Sequence, residues 1–419
     1  MDLKKELREI AKNAKTASSF SANLETSEKN RVLEEMAEKL RESKERILKA
    51  NRKDIALARA SRLSAAFIDR LTLNEKRIEE MVNGLLGVAR LTDPVGVEIK
   101  SWEVPSGLQI HKVRVPLGVI AIIYESRPNV TADCIGLAFK SGNSVILRGG
   151  SESLNSNLAI FEALAAVIKK NNLPPGTINI IATKDRQAIN ILLKLNDYID
   201  LVIPRGGEAL IKKVTALSRI PVIKHYKGIC HVYVDDYADL NMAEKICFNA
   251  KVQRPGVCNA MESMLVHRDV AARFLPGMLK KFKAAGVEIR GCPLTQKIGK
   301  EGIKKARDAD YRTEYSDLIL AVKVVASLDE AIRHINAYGS HHSDSIITDD
   351  DNSARDFLKK VDSACVYVNA STRFTDGHQF GLGAEIGIST DKLHARGPMA
   401  LEELTSYKYA IWGSGQVRE

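Results

Sequence analysis

From residue 1 to about 90, apolar positions recur at helical spacing, with Val32, Met36, Leu40 and Ile47 on one face and charged residues between them. The pattern predicts successive amphipathic helices, with Thr26 and Ser27 available to cap the second. At Val97 it changes to alternation. Residues 97–104 and 108–115 flank the turn Pro105-Ser-Gly107 and predict a hairpin with charged residues along one face. Two strands alone are marginal in water, so docking of this hairpin onto another subunit is the expected remedy.

Continuous apolar runs follow, as in strands covered on both faces. Gly118-Val-Ile-Ala-Ile-Ile123 comes first, then a helix ending at Lys140, then Ser144-Val-Ile-Leu-Arg148. Gly149-Gly-Ser-Glu152 opens another helix, Leu173-Pro-Pro-Gly176 turns into Ile178-Asn-Ile-Ile181, and Asp200-Leu-Val-Ile203 ends in Pro204-Arg-Gly-Gly207 before a helix from Glu208. Repeated strand-turn-helix units predict a parallel sheet with ligand sites at the strand carboxyl ends. Gly206 and Gly207 at a helix start suit close approach to a pyrophosphate. Gly381-Leu-Gly-Ala-Glu-Ile-Gly387 imitates a dinucleotide fingerprint but follows no strand directly, and reads as a substrate-facing loop.

A second α/β region begins at Gly228, with strands expected at 230–235, 322–325, 344–348 and 366–369. Leu401 to Trp412 is expected to pass from helix to strand. Within this region a helical run from Ala243 to Gln253 is stopped by Pro255-Gly256, and a strand runs from Ser263 to His267. Cys258 lies on the turn between them. A thiol held there can act as a nucleophile and contribute its own backbone N–H to an oxyanion hole. The alternative is a small buried cysteine.

At 419 residues and 45% hydrophobic, the chain is expected to form two or more domains. Its six cysteines show no C-x-x-C spacing and read as reduced thiols. The charged, helical N-terminus carries no signal peptide, and no membrane span is expected, so a cytoplasmic location follows. The net charge of +10 comes from lysines interleaved with glutamates. That favours a solvated surface or anionic ligands over nucleic acid. No metal is expected, because His341-His342 with Asp344 lacks a complementary ligand set.

Several long motifs in order carry a resemblance to the aldehyde dehydrogenase superfamily from about residue 20 onward. They are Pro116-Leu-Gly-Val, Tyr124-Glu-Ser-Arg-Pro-Asn129, Lys140-Ser-Gly-Asn-Ser-Val-Ile-Leu-Arg-Gly-Gly150, Leu173-Pro-Pro-Gly176 and Pro204-Arg-Gly-Gly207. Val252-Gln-Arg-Pro-Gly-Val-Cys-Asn-Ala260 and Phe374-Thr-Asp-Gly-His-Gln-Phe-Gly-Leu-Gly-Ala-Glu-Ile-Gly387 complete the set. The resemblance implies an α/β fold of two parallel-sheet domains with an oligomerisation β-hairpin arm. The cofactor domain would comprise 1–96, 117–227 and 392–404, the catalytic domain 228–391, and the arm 97–116 with 405–419.

By the same resemblance Cys258 is the nucleophile, and Asn129 is the oxyanion-hole donor, with helix capping as its other reading. Arg148 stands where a lysine usually meets the adenosine ribose, and its fork suits a 2′-phosphate, so NADPH/NADP is the expected cofactor. Arg205 adds charge beside Gly206 and Gly207, or makes a surface ion pair. Glu314 matches the glutamate that binds the nicotinamide ribose, although Thr313-Glu-Tyr-Ser-Asp317 departs from the usual motif. His225, in Lys224-His-Tyr-Lys-Gly228, replaces the water-activating glutamate of hydrolytic members. By the quoted motifs the resemblance is to the branch that reduces γ-glutamyl phosphate in proline biosynthesis; the His225 replacement agrees with that branch, with a base as the other reading of His225. Arg254, Lys227, Arg373, His378 and the backbone of Gly381 to Gly383 are candidate substrate contacts. A homo-oligomer (dimer or tetramer) and a glutamate kinase partner are further expectations. A hydrolytic aldehyde dehydrogenase and an RNA-binding or scaffold protein are the competing readings.

Overall fold

In a computed structural model, which describes residues 2–224 and 227–418, the chain divides into two units. The first comprises Met1–Lys224, Gly381–Gly387 and Met399–Glu419; the second comprises His225–Phe380 and Ile388–Pro398.

The first unit opens with helices Leu3–Ser21, Thr26–Glu42, Lys44–Ala60 and, after a short helix, Glu75–Arg90. Val32, Leu33, Met36 and Leu40 of the second helix are buried where it packs on Glu75–Arg90, as the helical spacing requires. Thr26 is the first helical residue and Glu25 the N-cap residue, so the expected cap is absent. The Thr26 hydroxyl instead donates to Asp93 at 3.1 Å.

β1 (Glu98–Glu103) and β2 (Gln109–Pro116) form the expected hairpin, but it does not stand alone. The C-terminal strand Thr405–Trp412 pairs antiparallel with the whole of β2 and makes the sheet three-stranded. Only a 3₁₀ turn, Glu402–Leu404, precedes that strand in place of the expected helix. The main sheet contains β3 (Val119–Tyr124), β4 (Ser144–Arg148), β5 (Ile178–Ile180) and β6 (Leu201–Arg205), parallel in the order β5-β4-β3-β6. Every residue of β3 is buried, which explains its unbroken apolar run.

The second unit holds seven parallel strands. They are β7 (Cys230–Val234), β8 (Met261–His267), β9 (Glu288–Gly291), β10 (Ile303–Lys305), β11 (Ile319–Val325), β12 (Ser343–Ile347) and β13 (Cys365–Val368), in the order β10-β9-β11-β8-β7-β12-β13. Strand alternation sends Val232, Val234, Met264 and Val266 into one core with Phe274, Leu275, Met278 and Phe282 of the helix Arg268–Ala284. Tyr233 and Leu265 point to the other face, against Ile346 and Phe357. Short β9 and β10, both with charged residues, were not expected from the sequence. The helix expected from Ala243 begins earlier, at Leu240, because Asp239 caps it by accepting from the N–H groups of Asn241 and Met242.

Candidate active site

The helix Leu240–Val252 stops before Pro255-Gly256, and Cys258 sits on the turn that leads into β8. It is half-buried, and none of the six cysteines is in a disulfide. Gly228 lies directly against its main chain. A Cβ at Gly228 would fall 2.0 Å from the Cys258 carbonyl oxygen and 2.6 Å from its Cα, so no other residue fits without moving the Cys258 main chain. The same carbonyl accepts from the Cys230 thiol at 3.2 Å. Cys230 is fully buried, and burial, reinforced by Asp344, pushes its thiol well above the ordinary cysteine range. It is therefore a protonated donor, unsuited to act as a thiolate.

The next residue, Asn259, is held just as firmly. Its amide donates to the Thr375 carbonyl at 2.8 Å, and its own carbonyl accepts from the Thr372 hydroxyl at 2.8 Å. The Arg373 guanidinium donates to the Asn259 side-chain oxygen and, through Nε, to Gln253 at 2.9 Å. Arg373 thus clasps both ends of the turn. Burial lowers its pKa, the charge of Arg254 lowers it further, and Cys258 opposes both effects. Arg254 and Cys258 are therefore both within electrostatic reach of Arg373, and Arg254 is exposed.

Of the other expected second-unit residues, His378 is exposed, and its backbone N–H donates to Asp376 at 2.9 Å. Lys227 is half-buried, and His225 lies outside the described residues. Glu314 is half-buried on the loop before β11, beside Tyr315, whose hydroxyl donates to the Asp310 carbonyl at 3.0 Å. Asp236, His267 and Asp269 present possible metal-ligand atoms within 4.8 Å of one another, at the carboxyl end of β8, whereas Cys258 precedes its amino end. His267 Nδ1 there accepts from the Asp269 N–H at 3.3 Å, which is a helix-capping bond.

The first unit carries the remaining expected residues. Arg148 ends β4 and is 6% exposed. One terminal nitrogen donates to the Gly149 carbonyl at 2.8 Å, while its buried Nε makes no hydrogen bond among the described residues. Burial lowers its pKa; Glu152 opposes this and Arg186 reinforces it. Arg186, exposed on the loop after β5, escaped the sequence reading because nothing in Thr183-Lys-Asp-Arg marks it. The pairing of β5 with β4 is what sets that loop beside Arg148. Burial pushes the Glu152 carboxyl up, but its own backbone N–H and the hydroxyls of Ser151 and Ser126 hold it below the usual range.

Gly206 and Gly207 precede the helix Glu208–Leu217 as expected, and Glu125 lies against Gly206, 2.5 Å from where a Cβ would stand. Arg205 is neither a surface ion pair nor pointed at this helix start. Its guanidinium donates to the Ile386 carbonyl and lies 3.7 Å from the position of a Gly387 Cβ, tying down the glycine-rich loop. Gly381 and Gly383 both have φ +75°, and a Cβ at Gly383 would strike Leu91 at 2.6 Å. Backbone conformation and packing therefore account for Gly383. Asn129 is the first residue of the helix Asn129–Lys140 and not its cap; its exposed amide donates to Asp133 at 3.1 Å.

A sequence model of the aldehyde dehydrogenase family matches residues 2–297. A gamma-glutamyl phosphate reductase from Thermodesulfovibrio yellowstonii is 56% identical over 419 residues, all of both chains. Another, from Caldanaerobacter subterraneus subsp. tengcongensis, is 57% identical and covers 98% of this chain and 99% of its own. The crystal structure of gamma-glutamyl phosphate reductase from Thermotoga maritima matches with a TM-score of 0.97 at 48% identity, over 99% of this chain and 100% of that one.

The chain belongs to the aldehyde dehydrogenase family.

A more distant structure shares the fold. A glyceraldehyde-3-phosphate dehydrogenase from Methanocaldococcus jannaschii, complexed with NADP, matches with a TM-score of 0.70 at 18% identity, over 98% of this chain and 95% of its own. No helix among the described residues is long and apolar enough to cross a membrane.

Proposed function

We propose that this enzyme reduces γ-glutamyl phosphate to glutamate-5-semialdehyde and phosphate with NADPH, a step of proline biosynthesis. The observation that carries the reading is the full-length likeness, at 56% identity, to a relative named for that reaction. Cys258, half-buried on a turn fixed from both sides, suits the covalent route.

The Cys258 thiolate attacks the γ-carbonyl carbon. A C–S bond forms, and the carbonyl electron pair moves onto oxygen, where the Cys258 N–H and the Asn129 amide are the assigned donors. The carbonyl re-forms as the C–O bond to phosphate breaks, leaving a thioester on Cys258. Arg254, exposed and within electrostatic reach of Arg373, is the candidate assigned to the departing phosphate, while Arg373 holds the turn. When bound, the nicotinamide cofactor supplies the hydride that reduces the thioester carbon. The hemithioacetal then expels the Cys258 thiolate and releases the aldehyde. Lys227, His378 and the loop from Gly381 remain the contacts assigned to the amino-acid end of the substrate.

For the cofactor, the orphaned Nε of Arg148 and the nearby Arg186 fit an added phosphate. Gly206 and Gly207 would admit the pyrophosphate, and Glu314 would hold the nicotinamide ribose. Glu152 and Glu125 keep negative charge close to these groups. The preference for NADPH over NADH therefore rests on the two arginines.

The three-stranded arm exposes Ile99, Tyr407, Tyr409, Ile411 and Trp412, which suits burial against another subunit in a dimer or tetramer. Cysteines outside disulfides fit a reducing compartment such as the cytoplasm. An unstable acyl phosphate favours delivery by its glutamate kinase.

NADP reduction by glutamate-5-semialdehyde tests the function. Turnover that requires inorganic phosphate is expected. Phosphate-independent release of free glutamate would replace this reading with the hydrolytic one.

A further inference from the structure

Two side chains that no step above uses flank the cysteine turn. Lys251 lies in the last turn of the helix Leu240–Val252, and Glu262 lies near the start of β8. Lys251 Nζ stands 2.7 Å from Glu262 Oε2, with the two side chains 0% and 1% exposed. The other carboxylate oxygen, Oε1, accepts the backbone N–H of Ser316 at 3.0 Å. Ser316 has φ +52° and follows Glu314 on the same short loop. One buried carboxylate therefore touches the helix before Cys258 and the loop that carries Glu314, from the strand that follows Cys258.

Stability alone does not account for such a pair. Dehydrating two opposite charges consumes most of what their attraction returns, and apolar residues of similar volume often serve as well or better. Burial pushes the Glu262 carboxyl up to about 7 against the pull of Lys251, with the Ser316 N–H also opposing and Glu314 reinforcing the rise. Burial likewise lowers the Lys251 pKa against the attraction of Glu262. The pair offers directionality: a carboxylate with two fixed oxygens sets the separation of the elements it touches, as a greasy contact does not.

We propose that Lys251 and Glu262 form a positioning brace that holds the Cys258 turn and the Glu314 loop in fixed register. The nucleophile and the carboxylate assigned to the nicotinamide ribose then keep one relative placement through the reaction. The consequence for kinetics rests on the function proposed above; the mechanical link does not.

Glu262→Gln keeps the shape and removes the charge. In the full-length enzyme, kcat is expected to fall roughly 10- to 100-fold. The KM for NADPH should rise about tenfold, while that for the acyl phosphate stays within about twofold. The rate of Cys258 alkylation by iodoacetamide should change as well. A lower melting temperature with wild-type kinetics and alkylation would overturn the proposal and leave the pair a packing feature. Should Glu262→Gln fail to fold, the double substitution Lys251→Met/Glu262→Leu restores an apolar fit. That protein should fold and keep the kinetic defect; wild-type kinetics in it would equally overturn the brace. Were the wild-type protein itself inactive on γ-glutamyl phosphate, the function would be wrong, and alkylation of Cys258 would still test the brace.

Discussion

The cysteine turn of the second unit and the end of β4 in the first are built in opposite ways. Around Cys258, the neighbouring carbonyls, the Asn259 amide and the Arg373 guanidinium all have protein partners. At the end of β4, Arg148 is almost fully buried and retains a nitrogen with no hydrogen bond among the described residues. A nucleophile gains from being fixed before the substrate arrives, since reorganisation during reaction adds to the barrier. A ligand contact can be left for the ligand to complete, because an unmet buried donor favours the bound state. Under the proposed function, the comparison separates the part of the molecule assigned to react from the part assigned to select.

Removing the reacting atom should have the largest effect. Cys258→Ala is expected to lower kcat by about 10⁴-fold or more, in a protein that melts near wild type. Residual turnover within tenfold of wild type would remove the covalent route. Disturbing the fixed turn without touching the thiol comes next. Gly228→Ala forces a Cβ to within 2.0 Å of the Cys258 carbonyl oxygen. That overpacking should cost about 1–3 kcal/mol in stability and reduce kcat roughly 100-fold, measured by chemical denaturation and steady-state kinetics.

The selecting region should respond differently. Arg148→Ala should raise the KM for NADPH about tenfold or more, as expected for a charged hydrogen bond, while the KM for NADH changes less than about twofold. Arg186→Ala should act in the same direction and more weakly, because Arg186 is exposed. Equal losses for both cofactors would detach the two arginines from the 2′-phosphate.

His334, on the helix Leu328–Tyr338 and stacked on Tyr338 at 4.5 Å, is buried, unlike the half-buried Cys258, and has no assigned role. Burial, with the repulsion of His231, Lys323 and Arg312, drops its pKa to about 2. The folded state keeps it neutral, whereas the unfolded chain protonates it below its ordinary value near 6.5. Stability must therefore fall as pH drops below that value. At pH 5 the loss from this group is about 2 kcal/mol. His334→Phe should flatten that slope in denaturation curves and leave kcat unchanged; a changed kcat would show that sealing itself matters to the chemistry.

Much of the fold was legible because its strands are long, apolar and bounded by turns, as β3 and β4 are. β9 and β10 were not, since strands of only four and three residues bearing Glu288, Arg290, Lys304 and Lys305 show no alternation long enough to detect. The position of Cys258 could be read from a helix halted by Pro255-Gly256 and a strand close behind. The clasp around it could not, because Arg373 and Asn259 lie 114 residues apart and neither type suggests the other. Lys251 in a helix reads as solvated, yet it is 0% exposed. Arg205 illustrates the converse: its motif suggested a ligand contact, and the fold gives it the Ile386 carbonyl.

Rapid acid quenching of the enzyme with γ-glutamyl phosphate, in the absence of NADPH, addresses the covalent step most directly. Intact-mass and peptide analysis should find one γ-glutamyl group on Cys258, formed with one equivalent of phosphate. An unmodified Cys258 in a preparation that turns over normally would contradict the account.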